Sequence, residues 1–183
     1  TGFLGQDVFG ATLGIVGLGE IGEAMARRAL GFRMRVVYTS RTRKPEAEAR
    51  FGCQFVEIGE LLAQSDFVSL HMPLNSSTRG MIGARELRLM KTSAILVNTA
   101  RGQVVDQGAL IAALRDGVIG GAALDVTDPE PLPLENALYT FSNVIITPHI
   151  ASASLATRAK MAEMAAANII AVLAGQAPIN PVN

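Results

Sequence analysis

The stretch Gly17–Gly22, with the sequence GLGEIG, decides the fold, because it directly follows the apolar run Thr12–Val16 and opens a segment of helical spacing. In a strand–turn–helix unit, Gly17 permits the tight turn, Gly19 lets the main chain approach a pyrophosphate, and Gly22 lets the helix pack closely on the strand. Free N–H groups and the positive end of the helix dipole then face the anion. The stretch therefore predicts a dinucleotide-binding turn. A structural glycine turn and the similar loop of a methyltransferase are the alternatives.

On both sides of this turn, short apolar runs alternate with segments of helical spacing. The predicted strands are Thr12–Val16, Met34–Tyr38, Phe67–Leu70, Ala94–Val97, Ile119–Val126 and Val144–Ile146, with Cys53–Val56 as a short edge strand. The predicted helices run from Ile21 to a terminating Gly31, from an Asp106 N-cap to Gly117, and from about Ser154 to Ala174. Continuous apolar strands are typical of a parallel sheet that is covered on both faces. The chain is therefore predicted to be α/β, with a Rossmann-type doubly wound parallel sheet in a three-layer αβα arrangement, forming one domain over residues 1–183.

The composition narrows the class of protein further. The 183 residues include 16 basic and 16 acidic side chains, and 49% of the residues are hydrophobic. This balance favours a folded domain and argues against nucleic-acid binding. The apolar runs are too short to span a membrane, no secretory signal is recognisable, and the single cysteine, Cys53, argues against cysteine-based metal sites and internal disulfides. We therefore expect a cytoplasmic protein with no metal, no nucleic-acid partner and no membrane partner.

The residues after the second predicted strand indicate which dinucleotide binds. The strand residues up to Thr39 include no acidic side chain to bind both ribose hydroxyls of NAD. The turn Ser40–Lys44, with the sequence SRTRK, instead offers hydroxyls and three cations, which suit a 2′-phosphate. The sequence therefore predicts that NADP(H) is preferred over NAD(H). A solvated basic turn is the alternative.

Three chemically capable side chains follow predicted strands at their carboxyl ends, where open α/β sheets bind ligands. They are Arg101, Glu130 and His149. A guanidinium can grip a carboxylate and polarise a carbonyl, and an imidazole beside a carboxylate can hold and deliver a proton. Together they suggest the reduction of a 2-oxo acid by hydride. Taken singly, each has a structural explanation as a surface, loop or core residue.

These features occur within longer motifs: Gly14–Gly22, His71–Leu74, Asn98–Gly102, Ala123–Val126 with Glu130-Pro131, and Thr147–Ile150. By these motifs, which cover almost the whole chain in the family's order, the sequence resembles the D-isomer-specific 2-hydroxyacid dehydrogenases. The turn Arg41–Arg43 and the loop Asp128–Leu132 are most similar to those of glyoxylate/hydroxypyruvate reductases. The sequence departs from the family pattern at Ala123 and Ala151, where glycine is frequent, and at Glu20, where a basic residue is frequent.

The resemblance implies a role for each site residue. Arg101 would bind and polarise the substrate, His149 would donate the proton, and Glu130 would hydrogen-bond His149. The implied cofactor contacts are Gly17, Leu18, Gly19, Glu20 and Ile21 at the pyrophosphate, Ser40, Arg41 and Thr42 at the ribose, His71, Pro73 and Thr78 at the middle, and Thr99, Ala100, Asp125 and Ala151 towards the nicotinamide. A strand-end histidine without chemistry is the alternative for His71, and a turn cap is the alternative for Asp125.

The resemblance also implies partners. The substrate would be a small 2-oxo or 2-hydroxy acid, and nucleotide-binding domains of this family pair into homodimers. The helical stripe Met161, Met164, Ala165, Ile169 and Val172 is expected to serve packing, partly at such an interface. A substrate domain of roughly 100 residues precedes the nucleotide loop in the family and is absent from this chain, so we expect the chain alone to bind dinucleotide but catalyse poorly. A dinucleotide-sensing corepressor of the same fold is the alternative function.

Overall fold

The structure is a computed structural model that describes residues 5–181. Within these residues the strands are β1 (Thr12–Val16), β2 (Arg35–Thr39), β3 (Gln54–Phe55), β4 (Phe67–Leu70), β5 (Ile95–Asn98), β6 (Gly121–Leu124) and β7 (Val144–Ile146). They form one seven-stranded parallel sheet in the order β3-β2-β1-β4-β5-β6-β7. The order reverses between β1 and β4, which defines the topological switch point of a doubly wound sheet. The predicted fold class is confirmed.

Helices follow most of these strands along the chain. They are α1 (Glu20–Ala29), α2 (Pro45–Phe51), α3 (Ile58–Gln64), α4 (Ala84–Leu89), α5 (Gln107–Arg115) and α6 (Leu155–Leu173), with short 3-10 helices at Leu30–Phe32, Gly102–Val104 and Ala137–Thr140. The Asp106 side chain accepts a hydrogen bond from the N–H of Ala109, and Gly117 lies just beyond the end of α5 at a φ of 66°. The predicted boundaries of α5 are therefore confirmed.

Alternate residues of the central strands pack against different helices. Leu13 and Ile15 of β1 belong to a buried cluster with α1 and α2, including Ala26 and Phe51. On the opposite face, Val16 belongs to a larger cluster with side chains from α3, α4 and α5. Successive strand residues point to opposite faces, so this division places one helical layer on each side of the sheet.

Several predicted boundaries differ from the structure: β2 and β5 each begin and end one residue later than predicted, and the first helix and sixth strand differ more. Gly31 does not end the first helix: it lies inside the 3-10 helix Leu30–Phe32, and Arg33 adopts the left-handed conformation that reverses the chain, with a φ of 50°. The sixth strand is shorter than predicted at both ends. It stops at Leu124 because its neighbour β5 ends opposite that residue, at Asn98, so that residues 125 and 126 have no residue of β5 to pair with. The short edge strand β3 is confirmed next to β2.

The chain divides into two compact units after Pro148. The second unit contains α6, whose N-terminus is capped by Ser154 through a 3.1 Å hydrogen bond from the N–H of Thr157. The predicted stripe on α6 is largely exposed, with Met161 50% and Ile169 60% exposed, so its expected role in packing, partly at an interface between copies, stays a prediction. Helical periodicity identifies an apolar stripe without identifying what covers it. No helix within residues 5–181 is both long and apolar enough to span a membrane.

Candidate cofactor and catalytic site

The turn between β1 and α1 requires its glycines. Gly17 has a φ of 97°, and a Cβ there would lie 2.8 Å from the main-chain nitrogen of Met72. A Cβ on Gly22 would collide with the carbonyl oxygen of Gly17, whereas a Cβ on Gly19 would meet no protein atom within 4 Å. The first and third glycines therefore allow close protein packing, and the space at Gly19 remains open to a ligand.

A cavity of about 480 Å³ lies at the switch point, and its size is typical of a small-molecule site. Nine residues of the predicted cofactor set line it: Gly17, Leu18, Gly19, Ser40, Arg41, Thr42, His71, Pro73 and Thr78. Lys44 of the basic turn and Met72, between His71 and Pro73, also line it. The remaining lining residues, which no sequence motif marked, are Val16, Thr39, Glu57, Ile58, Asn75, Ser77 and Met81. The cavity thus connects the glycine turn with the basic turn at the end of β2.

The basic turn is held by a buried tyrosine. The hydroxyl of Tyr38 donates to Oε1 of Glu48 at 2.8 Å and accepts from the N–H of Lys44 at 2.6 Å. Arg43 donates from Nε and Nη2 to the two carboxylate oxygens of Glu48, at 2.8 Å each. Burial raises the pKa of Tyr38 to about 12, so the phenol stays protonated. Arg43 is therefore paired with Glu48 of α2 and does not line the cavity.

The other two cations of the basic turn, Arg41 and Lys44, lie at the cavity. Within residues 5–181 neither side chain makes an ion pair or a hydrogen bond. The lining also includes the carboxylate of Glu57, which precedes α3. Two unpaired cations and one anion thus border the part of the cavity next to β2, and the cations can bind a phosphate group.

Another part of the cavity lining comes from residues 71–78, the segment that follows β4. Asn75 accepts hydrogen bonds at its Oδ1 from the N–H groups of Ser77 and Thr78, and Thr78 Oγ1 donates to the carbonyl of Pro73 at 2.7 Å. This self-bonded turn is typical of an asparagine followed by small polar residues. Nε2 of His71 lies 2.8 Å from the Oγ of Ser69, and burial lowers the pKa of His71. The imidazole is therefore neutral at neutral pH.

The loop after β5 presents Arg101. The buried Asn98 fixes this loop by accepting from the N–H of Ala100 and donating to the carbonyl of Arg101. The Arg101 side chain is exposed and donates to the carbonyl of Ala100 at 2.6 Å. A Cβ at Gly102 would collide with the carbonyl of Thr127, so this loop packs directly against the loop after β6.

The loop after β6 carries Glu130. The N–H of Thr127 donates a long, 3.5 Å hydrogen bond to Oε2 of Glu130, and Gln107 of α5 accepts from the N–H of Asp128. Asp125, at the start of this loop, is buried and accepts a 2.6 Å hydrogen bond from Oγ1 of Thr147. The fold thus brings the loops of Arg101 and Glu130 together at the carboxyl ends of neighbouring strands.

The remaining predicted residues are placed elsewhere. Glu20, Ile21, Thr99, Ala100 and Asp125 belong to the first unit but do not line the cavity. His149 and Ala151 belong to the second unit, where His149 is the first residue. His149 has a φ of 54°, a conformation that non-glycine residues rarely adopt and that is found most often where function requires it. No group of three His, Cys, Asp or Glu side chains within residues 5–181 could hold a metal ion.

The strand order, the glycine turn and the cavity at the switch point define a dinucleotide-binding domain of the Rossmann type. The sequence model of the D-isomer specific 2-hydroxyacid dehydrogenase, NAD binding domain, matches residues 1–151, and the chain belongs to this family.

Individual relatives agree with this assignment. A glyoxylate reductase from Korarchaeum cryptofilum is 54% identical over 180 residues, which are 98% of this chain and 54% of that protein. The structure of a D-lactate dehydrogenase with NAD+ from Lactobacillus jensenii has a TM-score of 0.90 and 31% identity, covering 98% of this chain and 58% of that one. The structure of an acyclic imino acid reductase in complex with NADPH and D-Arg has a TM-score of 0.87 and 34% identity, covering 99% of this chain and 56% of that one. The chain thus spans about half the length of the curated relatives it matches.

Proposed function

We propose that this chain binds a nicotinamide dinucleotide and serves an enzyme that reduces a small 2-oxo acid, such as glyoxylate or hydroxypyruvate, to the D-2-hydroxy acid. The observation that carries the proposal is the cavity at the switch point, lined by residues of both the glycine turn and the basic turn. The closely packed Gly17 and Gly22 and the open Gly19 fit a pyrophosphate at the N-terminus of α1. The name of the relative from Korarchaeum cryptofilum supports the substrate class.

The proposed chemistry divides among three side chains. The dinucleotide, when bound, supplies the hydride. Arg101 binds the substrate carboxylate and polarises the neighbouring carbonyl, and its exposed guanidinium on a fixed loop suits this role. His149 donates the proton to the carbonyl oxygen, and Glu130 hydrogen-bonds the imidazole to keep it protonated. In the reverse direction His149 acts as the base.

The proposed cofactor is NADP(H) in preference to NAD(H). Arg41 and Lys44 are unpaired cations at the cavity within residues 5–181, and a 2′-phosphate would give both a charge-assisted partner. Ser40 and Thr42 border the same ribose, and Glu20 and Ile21 lie beside the pyrophosphate. Thr99, Ala100, Asp125 and Ala151 would complete the contacts towards the nicotinamide.

We further propose a cytoplasmic homodimer. The exposed apolar side chains on α6, including Met161, Ile169 and Val172, offer a surface for a second copy. The free, buried thiol of Cys53 suits a reducing compartment, and burial raises its pKa, which keeps it protonated and unreactive. Sedimentation that shows only monomers at high protein concentration would exclude the dimer.

A chimera tests the activity. The chain replaces the matching 180 residues of the Korarchaeum cryptofilum glyoxylate reductase, and oxidation of NADPH and NADH is followed with glyoxylate and with hydroxypyruvate. We expect turnover, and we expect His149→Asn to abolish it while leaving NADPH affinity nearly unchanged. Tight dinucleotide binding without turnover on any 2-oxo acid would instead favour a dinucleotide-sensing protein.

A matched pair of arginines tests the cofactor choice. Loss of a hydrogen bond between charged groups costs about 1.5–3 kcal/mol, so Arg41→Ala should weaken NADPH binding by roughly 10- to 100-fold and NADH binding far less. Arg43→Ala is the control, because Arg43 is engaged by Glu48 and should affect the two cofactors equally. Equal losses for NADPH and NADH in Arg41→Ala would show that Arg41 does not recognise the 2′-phosphate.

A further inference from the structure

A buried serine touches the histidine that lines the cavity. Ser69 lies in β4, and His71 follows the end of the same strand two residues later, so their side chains lie on the same side of the chain. The Oγ of Ser69 lies 2.8 Å from Nε2 of His71, and Ser69 is only 2% exposed. Ser69 does not line the cavity, whereas His71 does. Ser69 can therefore affect a ligand in the cavity through the imidazole of His71 and not by direct contact.

The burial of Ser69 determines which group donates. Among residues 5–181, His71 is the one side-chain or main-chain partner that the Ser69 hydroxyl has. If the hydroxyl accepted from Nε2–H, its own proton would be buried without an acceptor, which is costly. Donation from the hydroxyl to Nε2 satisfies both groups. Since the ring is neutral, its proton then resides on Nδ1.

The Nδ1 atom of His71 is available to a ligand. It has no hydrogen-bond partner within residues 5–181, and every fully buried side-chain nitrogen or oxygen in that part of the chain has one. Nδ1 is therefore accessible. The main chain of His71 also adjoins the glycine turn, because its N–H donates to the carbonyl of Val16 at 2.8 Å and a Cβ on Gly17 would lie 2.9 Å from the carbonyl carbon of His71.

We propose that Ser69 is a positioning residue that holds His71 as the Nδ1–H tautomer, so that Nδ1–H donates a hydrogen bond to a pyrophosphate oxygen of the dinucleotide. This inference rests on the proposed dinucleotide function and deepens it. A neutral donor adds a directed hydrogen bond to an anion that already lies at the positive end of α1. It also keeps this contact independent of histidine protonation near neutral pH.

The tautomer is measured directly by nitrogen NMR of the chain labelled with ¹⁵N-histidine. The sequence has two histidines, so a His149→Gln variant assigns the signals of His71. We expect His71 to be neutral with the proton on Nδ1, and Ser69→Ala to shift it towards the Nε2–H form. Ser69→Thr, which keeps a hydroxyl, should restore the wild-type tautomer. A wild-type proton on Nε2 would overturn the proposal.

The ligand contact is measured by titration calorimetry with NADPH and with 2′-AMP, which keeps the adenosine and the 2′-phosphate but has neither phosphate of the pyrophosphate. Ser69→Ala should weaken NADPH binding by roughly threefold to tenfold, about one neutral hydrogen bond, and leave 2′-AMP binding unchanged. Ser65→Ala is the matched control, because Ser65 is a buried serine that bonds the carbonyl of Leu61 away from the cavity.

The outcomes separate this proposal from the one on which it rests. Equal weakening of NADPH and 2′-AMP, or no weakening of NADPH, would overturn the pyrophosphate contact even if the tautomer is as expected. Absence of NADPH binding by the wild-type chain would refute the proposed function, while the NMR measurement would still decide whether Ser69 sets the tautomer of His71.

Discussion

Replacing Tyr38 with phenylalanine tests how the basic turn is held in place. Tyr38 is fully buried, with 0% of its surface exposed, and its hydroxyl bonds both Glu48 and the N–H of Lys44. Its ring packs edge-on against Phe55 at a centroid distance of 5.5 Å. Phenylalanine keeps the ring and this contact. The substitution therefore removes two hydrogen bonds and little else.

The expected loss of stability follows from those two bonds. A buried hydroxyl that serves two partners contributes about 1–2 kcal/mol net. For a chain of this length each kcal/mol lowers the melting temperature by about 2–4 °C, so Tyr38→Phe should melt about 2–8 °C below the wild type. Because the bond to Lys44 also fixes the basic turn, NADPH affinity should fall roughly threefold, or about 0.7 kcal/mol, and NADH affinity less.

Thermal unfolding followed by circular dichroism measures the first effect, and titration calorimetry measures the second. Tyr139→Phe is the matched control, because the other tyrosine of the chain is 49% exposed and its hydroxyl makes only a long, 3.4 Å hydrogen bond to the carbonyl of Leu132. The reasoning fails if Tyr38→Phe melts with the control at the wild-type temperature, or if it melts lower while both cofactor affinities stay unchanged.

Three further predictions concern the glycine turn and the basic turn. Gly17→Ala should lower the melting temperature through about 1–3 kcal/mol of backbone strain, whereas Gly19→Ala, which meets no protein atom, should fold normally and lose dinucleotide affinity in calorimetry. Hydrogen bonds from Arg43 and Tyr38 lower the pKa of Glu48. The contribution of this carboxylate to folding stability is therefore present above the ordinary glutamate pKa and is lost as the pH falls through the lowered pKa. Glu48→Gln should accordingly flatten the acid side of a plot of melting temperature against pH. Burial raises the pKa of Tyr38 to about 12, so an ultraviolet titration should show one late tyrosine, and its stability contribution should disappear as the pH rises through that value.

The sheet was predictable because its strands are continuous apolar runs. β1, β4 and β7 begin and end where the sequence predicts. The end of α1 was not predictable in the same way: glycine is favoured in the left-handed conformation, but here the chain reverses at Arg33 and Gly31 remains in a 3-10 helix. A local preference for glycine does not determine where tertiary packing lets a helix end.

The site was predictable where its residues adjoin the ends of strands and not where distant elements meet. The glycine turn, the basic turn and His71 follow β1, β2 and β4, and His71 and residues from each turn line the cavity. Glu57 and Ile58 reach it from the start of α3, and no motif marks them in the sequence. Ser69 could have been noticed from its spacing of two from His71, because residues at i and i+2 of a strand share a face.

The number of cations in the basic turn overestimates the number that can bind a ligand. Glu48 on α2 engages Arg43 through two hydrogen bonds, so that Arg41 and Lys44 are left for the cavity. A third free cation in this turn would act on every phosphate of a dinucleotide and most strongly on a 2′-phosphate beside it. Glu48→Gln keeps an acceptor for Tyr38 but weakens the hold on Arg43. It should therefore tighten both NADPH and NADH at low salt, NADPH by the larger factor because of its 2′-phosphate, and this gain should shrink as salt is added. Titration calorimetry at two salt concentrations measures both effects, and an unchanged ratio of the two constants would mean that Arg43, once released, does not act on the ligand.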